Sequence, residues 1–204
     1  MSEVTNEHVL IHDFITEDER QQLIAFGEEM YPYLTPRKHL STEESTGQRR
    51  ADFVHLGDKE CSCPECQKGE KPPVEVPIDV IKDIQDRVVE ALGLQKFVES
   101  PYRPRLVMHD QGADTKRHRD PHGGVKAKHH RQRFGDDGFT CDYHYKVNLL
   151  VKAADAGGIF HVEDVPLDMK SGSLAGFWGT RPHSVSIVEA GQRILLTMGW
   201  CKND

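Results

Sequence analysis

Long apolar runs are missing from this chain, and no stretch approaches the ~20 apolar residues of a membrane-spanning helix. The opening MSEVTNEHVLIHDF carries acidic and polar residues where a secretory signal needs a basic flank and an apolar stretch. The expectation is therefore a cytoplasmic protein with no membrane association. A disulfide framework is missing as well. The five cysteines are an odd number, and three crowd together as Cys61, Cys63 and Cys66, a usage that suits reduced thiols in a reducing compartment. Positive charge is not in excess either. The formal net charge of -7 argues against broad electrostatic attachment to nucleic acid. One segment runs against that average: residues 116–133, KRHRDPHGGVKAKHHRQR, are strongly basic. Such a run reads as a solvated loop, or as a positive lip for an anionic substrate.

No internal repeat or low-complexity tail is present. The 204 residues are enough for one domain with its own core and no disulfide support. The apolar rhythm from His8 to Phe14 suits a strand. Thr16 followed by Glu19 forms a capping box, in which hydroxyl and carboxylate satisfy early helical N–H groups, and a helix is expected from Glu17 to Met30 with Leu23, Ile24 and Phe26 as its apolar side. Residues 31–76 mix Gly, Pro, Cys and charge, and read as loops and short strands. A second helix is expected from Pro77 to Leu92. Ile81, Ile84, Val88 and Leu92 recur at helical spacing, Pro77 suits a first turn and Gly93 a C-cap.

From Arg103 the pattern changes to short strands parted by glycines. RLVMHD, TKRHRD, YHYKVNLLV, GGIFHV, GSLAGFW, HSVSIV and RILLTMGW each fit a strand. Two helices followed by seven or eight strands imply an α+β protein, with the strands in a double-sheet jelly roll or distorted barrel and the helices bracing one sheet from outside. The expected organisation is a single domain over 1–204. Within it, 1–102 supply helical support, with a cysteine-containing insertion around 55–72, and 103–204 form the β core.

Three features of the β region combine. His118 and Asp120 stand at i and i+2, which on a strand places both on one face. His183 follows after a long connection, at the start of an apolar strand. Arg193 stands ten positions further on, just after Gly191. Two imidazoles and one carboxylate make the facial triad that leaves open positions on iron(II) for a bidentate 2-oxo acid and dioxygen. If the acid has a distal carboxylate, it needs a fixed cation, and the planar fork of an arginine grips a carboxylate through two hydrogen bonds.

On these residues the chain resembles the 2-oxoglutarate/iron(II) oxygenases, and within them the prolyl-hydroxylase-like group. The resemblance covers roughly residues 103–200. Gly112 precedes His118 by the usual short interval, and Gly157-Gly158-Ile159-Phe160 is similar to the family's Gly-Gly strand. Lys170-Ser171-Gly172-Ser173-Leu174 and PHSVSIVEAGQRILLTMGW complete the pattern. The resemblance implies a double-stranded β-helix. It implies iron held by His118, Asp120 and His183 as catalytic and metal-binding residues, and 2-oxoglutarate held by Arg193. It also implies hydroxylation of a C–H bond of an amino-acid, peptide or protein substrate by dioxygen, with release of succinate and carbon dioxide. Two other readings are a tailoring oxygenase acting on an anionic metabolite and a non-catalytic module binding 2-oxoglutarate or metal. Asp120, present where a halogenase has Ala or Gly, leaves chloride no vacant position.

Two positions depart from the family. Leu195 stands where many relatives have Ser or Thr, and His109 stands near the place of a co-substrate-binding Tyr. Lys146, Asn148 and Thr197 are the replacements on offer, with Asn148 and Thr197 grouped with Arg193 as cofactor-binding. Phe160, Phe177 and Trp178 line the pocket or pack the core. Arg119 reads as structural, and Arg181 as a contact for an anionic substrate. Cys61, Cys63 and Cys66 have the spacing of a zinc knuckle, with Cys141 or His55 as fourth ligand. A structural zinc there and plain reduced thiols are both open.

Overall fold

The computed structural model describes residues 8–34, 48–52, 74–99, 104–120 and 143–202. Strand β1 (Val9–Ile11) is shorter than its apolar rhythm suggests, because Asp13 turns into the left-handed region (φ 51) and Phe14 N–H donates to Gly172 O. Helix α1 (Glu17–Met30) starts where the capping box places it. Glu19 N–H donates to Thr16 Oγ1 (3.3 Å), and Thr16 N–H donates to Glu19 Oε2 (2.8 Å). Leu23, Phe26, Gly27 and Met30 form its buried stripe. Gly27 lets the helix approach the sheet, since a Cβ there would stand 3.0 Å from Leu106 Cδ2.

After a 3-10 turn (Tyr31–Tyr33) come β2 (Gln48–Asp52) and helix α2 (Ile78–Leu92). Ile81, Ile84, Val88 and Leu92 are buried, and Gly93 closes the helix at φ 66, a conformation that costs a glycine little. Pro77 is the cap rather than a first-turn residue, one position from its expected place. The remaining strands are β3 (Val98–Glu99), β4 (Arg105–His109), β5 (Thr115–His118), β6 (Tyr143–Lys152), β7 (Ala156–Gly157), β8 (Phe160–Val162), β9 (Val165–Pro166), β10 (Leu174–Trp178), β11 (His183–Val185), β12 (Val188–Ala190) and β13 (Arg193–Lys202).

These strands make a major antiparallel sheet ordered β1-β10-β6-β13-β4-β2, with β3 also on β13. A minor sheet runs β5-β11-β8-β9, and β12 pairs with β7. One face of the major sheet packs on the helices. Leu106 and Met108, Tyr145, Val147 and Leu149, and Ile194, Leu196, Met198 and Trp200 alternate along their strands into one core with the buried stripes of α1 and α2. A second core of Phe160, Val162, Leu167, Ala175, Phe177 and Val185 lies between the two sheets. This is the expected α+β double-stranded β-helix, braced from outside by two helices.

Two expected strands are divided. GGIFHV breaks at Gly158 (φ 64), where Gly157 turns to pair with Val188 and Phe160 joins the minor sheet. HSVSIV breaks in the same way between Val185 and Val188, since its halves serve different sheets. Cys201 is disulfide-bonded, whereas the cysteine pattern suited a reducing compartment. Cys61, Cys63, Cys66, His55 and Cys141 lie outside the described residues, as does the basic run beyond residue 120. Among the described residues, no helix is long and apolar enough to cross a membrane.

Candidate metal centre and anion pocket

The register brings the two histidines together. His183 on β11 stands directly opposite His118 on β5, and their ring centroids are 4.3 Å apart. Each ring is oriented through its Nδ1–H. His118 donates to Lys116 O (2.8 Å) and His183 to Arg181 O (2.9 Å), which makes Nε2 the acceptor nitrogen of each ring, the atom a metal would take. Burial, with help from Lys146, pushes His183 down to about 3, so its ring is neutral at ordinary pH. Phe177, at 4.9 Å between centroids, and Phe160, at 6.4 Å, wall the His183 ring against the inter-sheet core.

Asp120 lies beyond the end of β5, so strand alternation alone does not aim it. Its N–H donates to Gly179 O (2.8 Å), and Gly179 N–H donates to His144 O (2.8 Å), which ties the segment to the major sheet. Gly179 leaves the Asp120 carboxylate its place, because a Cβ here would stand 2.7 Å from Asp120 Oδ2 and one of the two would have to move. Donor atoms of His118, Asp120 and His183 then lie within 4.8 Å of one another. Burial opposes ionisation of Asp120, but Lys146, His144 and His183 outweigh it and hold the carboxyl far below its usual range. Lys146 Nζ lies 2.9 Å from Asp120 Oδ2 and 3.5 Å from His183 Nε2. A cation already sits against this donor set, which is the behaviour expected of residues that fit a metal ion.

Arg193 opens β13 and is 1% exposed. Among the described residues, none of its three guanidinium nitrogens has a hydrogen-bond partner. Burial lowers it to about 10, still protonated at neutral pH. It lines a cavity of about 310 Å³ together with Leu150, Gly158, Phe160, Leu167 and Asp168. Gly158 admits the arginine stem, since a Cβ there would come within 3.2 Å of Arg193 Cδ. A buried cation with orphaned donors is costly unless an anion joins it. The residues present therefore fit a ligand carboxylate. Phe160 joins the two halves of the site, because it lines this cavity and touches the His183 ring.

The other expected contacts sort by face. On β13, Arg193, Leu195 and Thr197 alternate away from the helix-packed core. Thr197 pairs in register with Asn148 on β6, but neither lines the cavity. Leu195 is buried between Leu150 and Val107, and His109 stands opposite Arg193 with its Nε2 3.1 Å from Thr115 Oγ1. Trp178 does not line the pocket. It packs against the helix-side core and meets Tyr145 edge-on at 5.0 Å, because alternation on β10 sends Phe177 inward and Trp178 outward. Arg119 is exposed, and Arg181 donates to Glu163 (3.2 Å) while its carbonyl orients His183. His144 and Gly179 were not anticipated. The only sequence sign of the first was the polar alternation His144, Lys146, Asn148, which marks one face of β6.

No protein-family model and no curated protein sequence matches the chain. Solved structures do match in fold, among them prolyl hydroxylases and a non-heme alpha ketoglutarate dependent epimerase. A collagen prolyl hydroxylase of Paramecium Bursaria Chlorella virus-1, solved as its 2OG complex, superposes with a TM-score of 0.60 at 14% identity, over 97% of this chain and 96% of that one. A prolyl hydroxylase from Trichoplax adhaerens, in complex with a hypoxia inducible factor oxygen degradation domain peptide, gives 0.62 at 14% identity, over 97% and 84%. The non-heme alpha ketoglutarate dependent epimerase SnoN of nogalamycin biosynthesis gives 0.65 at 8% identity, over 97% and 77%. The chain therefore has the prolyl-hydroxylase-like double-stranded β-helix.

Proposed function

We propose that this protein is a 2-oxoglutarate- and iron(II)-dependent dioxygenase that hydroxylates a C–H bond of an amino-acid, peptide or protein substrate. One observation carries the proposal. The fold carries both a cluster of His118, Asp120 and His183 and a buried Arg193, its donors without a partner among the described residues, lining a cavity of about 310 Å³ that Phe160 links to His183. Iron(II) with 2-oxoglutarate and dioxygen supplies the oxidation: one oxygen atom goes to the substrate C–H and the other to succinate, with loss of carbon dioxide.

The chain's own share is positional. The Nε2 atoms of His118 and His183 and one oxygen of Asp120 would hold the metal. Arg193 would bind the far carboxylate of the co-substrate. Phe160 and Phe177 keep water from the wall behind His183. The Trichoplax relative's peptide complex supports a peptide or protein substrate. SnoN supports the second reading, a small-molecule substrate, because the same fold there belongs to an antibiotic-biosynthesis enzyme.

The test is anaerobic addition of iron(II) and 2-oxoglutarate. The expected result is a visible charge-transfer band, followed in air by succinate release that needs both additions. Asp120→Ala is expected to abolish both signals. A wild-type protein that gives neither the band nor succinate sinks the proposal.

A further inference from the structure

Asp120 presents its two oxygens to different neighbours. Oδ1 lies 3.9 Å from His118 Nε2, whereas Oδ2 lies 2.9 Å from Lys146 Nζ and 3.8 Å from His144 Nδ1. Lys146 comes from β6, on the face turned away from the helix-side core, and its side chain is 21% exposed. At 2.9 Å the ammonium and the carboxylate form a close ion pair without hydrogen-bond alignment, and partial burial reduces its screening by solvent. A carboxylate free to rotate can give a metal both of its oxygens. Here the second oxygen is already engaged.

We infer that Lys146 is a positioning residue: its ammonium holds Asp120 Oδ2 and so restricts the carboxylate to one ligating oxygen. The assignment rests on the metal-centre reading above. Its consequence is the number of positions left open on the metal. A 2-oxo acid chelates through two atoms and dioxygen needs one more, so a carboxylate bound through both oxygens would remove a position the chemistry needs.

Lys146 also differs from the usual outer partners of metal ligands. Those are neutral or anionic, and their loss weakens metal binding. An ammonium this close to the ligands repels a dication, so its loss should tighten binding. The affinity reports the charge, and the number of water ligands on the metal reports the positioning.

Manganese(II) alone serves as the probe. Electron paramagnetic resonance titration gives its affinity, and line broadening in isotopically labelled water counts its water ligands. The wild type should bind the ion with three water ligands. Lys146→Met should bind at least about tenfold tighter and keep only two waters. Lys146→Gln, which keeps a donor for Oδ2 without the charge, should also bind tighter but keep three waters. It decides the matter should the methionine variant not fold. Three waters on Lys146→Met, or unchanged or weaker binding by either variant, overturns the assignment of Lys146 alone. No binding by the wild type overturns the metal centre along with it.

Discussion

Replacing Arg193 with methionine should make the ligand-free protein more stable while removing its co-substrate site. Burial lowers Arg193 from 12.5 to about 10. At about 1.4 kcal/mol per pK unit, keeping the charged form buried costs roughly 3 kcal/mol. The sign follows from the direction. The folded state holds the proton less tightly than the unfolded state, so the cost is present at every pH below about 10. No acceptor among the described residues offsets it, because Nε, Nη1 and Nη2 find no partner there. Methionine has a stem of similar reach and no polar hydrogen to strand, and the lining of Leu150, Ala153, Phe160 and Leu167 suits it. Urea unfolding of metal-free Arg193→Met at pH 7 should show a gain of about 2–3 kcal/mol, or a Tm raised by roughly 5–10 °C for a chain of this size. With manganese(II) present, 2-oxoglutarate at a hundred times its Kd should stabilise the wild type by about 2.7 kcal/mol and the variant not at all. If Arg193→Met is less stable than the wild type, the arginine is satisfied from within and the anion-pocket reasoning fails.

Two further outcomes follow from contacts at the site and in the helical layer. Gly179→Ala places a methyl 2.7 Å from Asp120 Oδ2 and should swing the carboxylate aside, lowering manganese(II) affinity about tenfold for a stability cost of roughly 1 kcal/mol. Metal titration beside urea unfolding separates the two effects, and unchanged affinity counts against the close fit. Glu19 concerns acid stability. Burial raises its pKa, but hydrogen bonds from Arg87 and Thr16 outweigh this and hold it below 4.5, so its contribution is intact above pH 4.5 and is lost as pH falls through the lowered value. Arg87→Ala should flatten the acid side of the stability curve in that window, and an unchanged curve would show that the α1–α2 ion pair contributes nothing.

What could be read from the sequence was what depends on neighbours along the chain. The capping box of Thr16 and Glu19 and the left-handed stop at Gly93 are local devices, so both helices end within a residue of their expected limits. The grouping of His118 with His183 was legible because two imidazoles and a carboxylate have the composition of a facial triad and the surrounding motifs resemble those of the 2-oxoglutarate/iron(II) oxygenases. The part played by Gly179 was not legible. Its effect depends on a backbone bond to Asp120 across 59 positions, and nothing in Trp178-Gly179-Thr180 announces a partner. The inward and outward faces of Phe177 and Trp178 could not be told apart either, since both are large and apolar and only the register of β10 on β6 distinguishes them. The i, i+2 rule pointed to the right pair for an incomplete reason, because Asp120 reaches the site from beyond the strand.

The two imidazoles are not held alike, and the difference bears on which of them can yield. His183 is 4% exposed, walled by Phe160 and Phe177 and paired on both sides, to β5 and to β8. His118 lies at the end of the edge strand β5. Its strand is tied to the β8–β9 turn by Arg117, which donates twice to Asp164 at 2.9 Å. The same turn reaches the other histidine's strand through Arg181 to Glu163 and through Glu163 N–H to Pro182 O. Exposed ion pairs of this kind contribute about 1 kcal/mol or less each, so the turn can align β5 with β11 without locking it. His183 is then the fixed reference of the site. In the proposed metal centre, His118 would be the ligand able to shift as a metal enters.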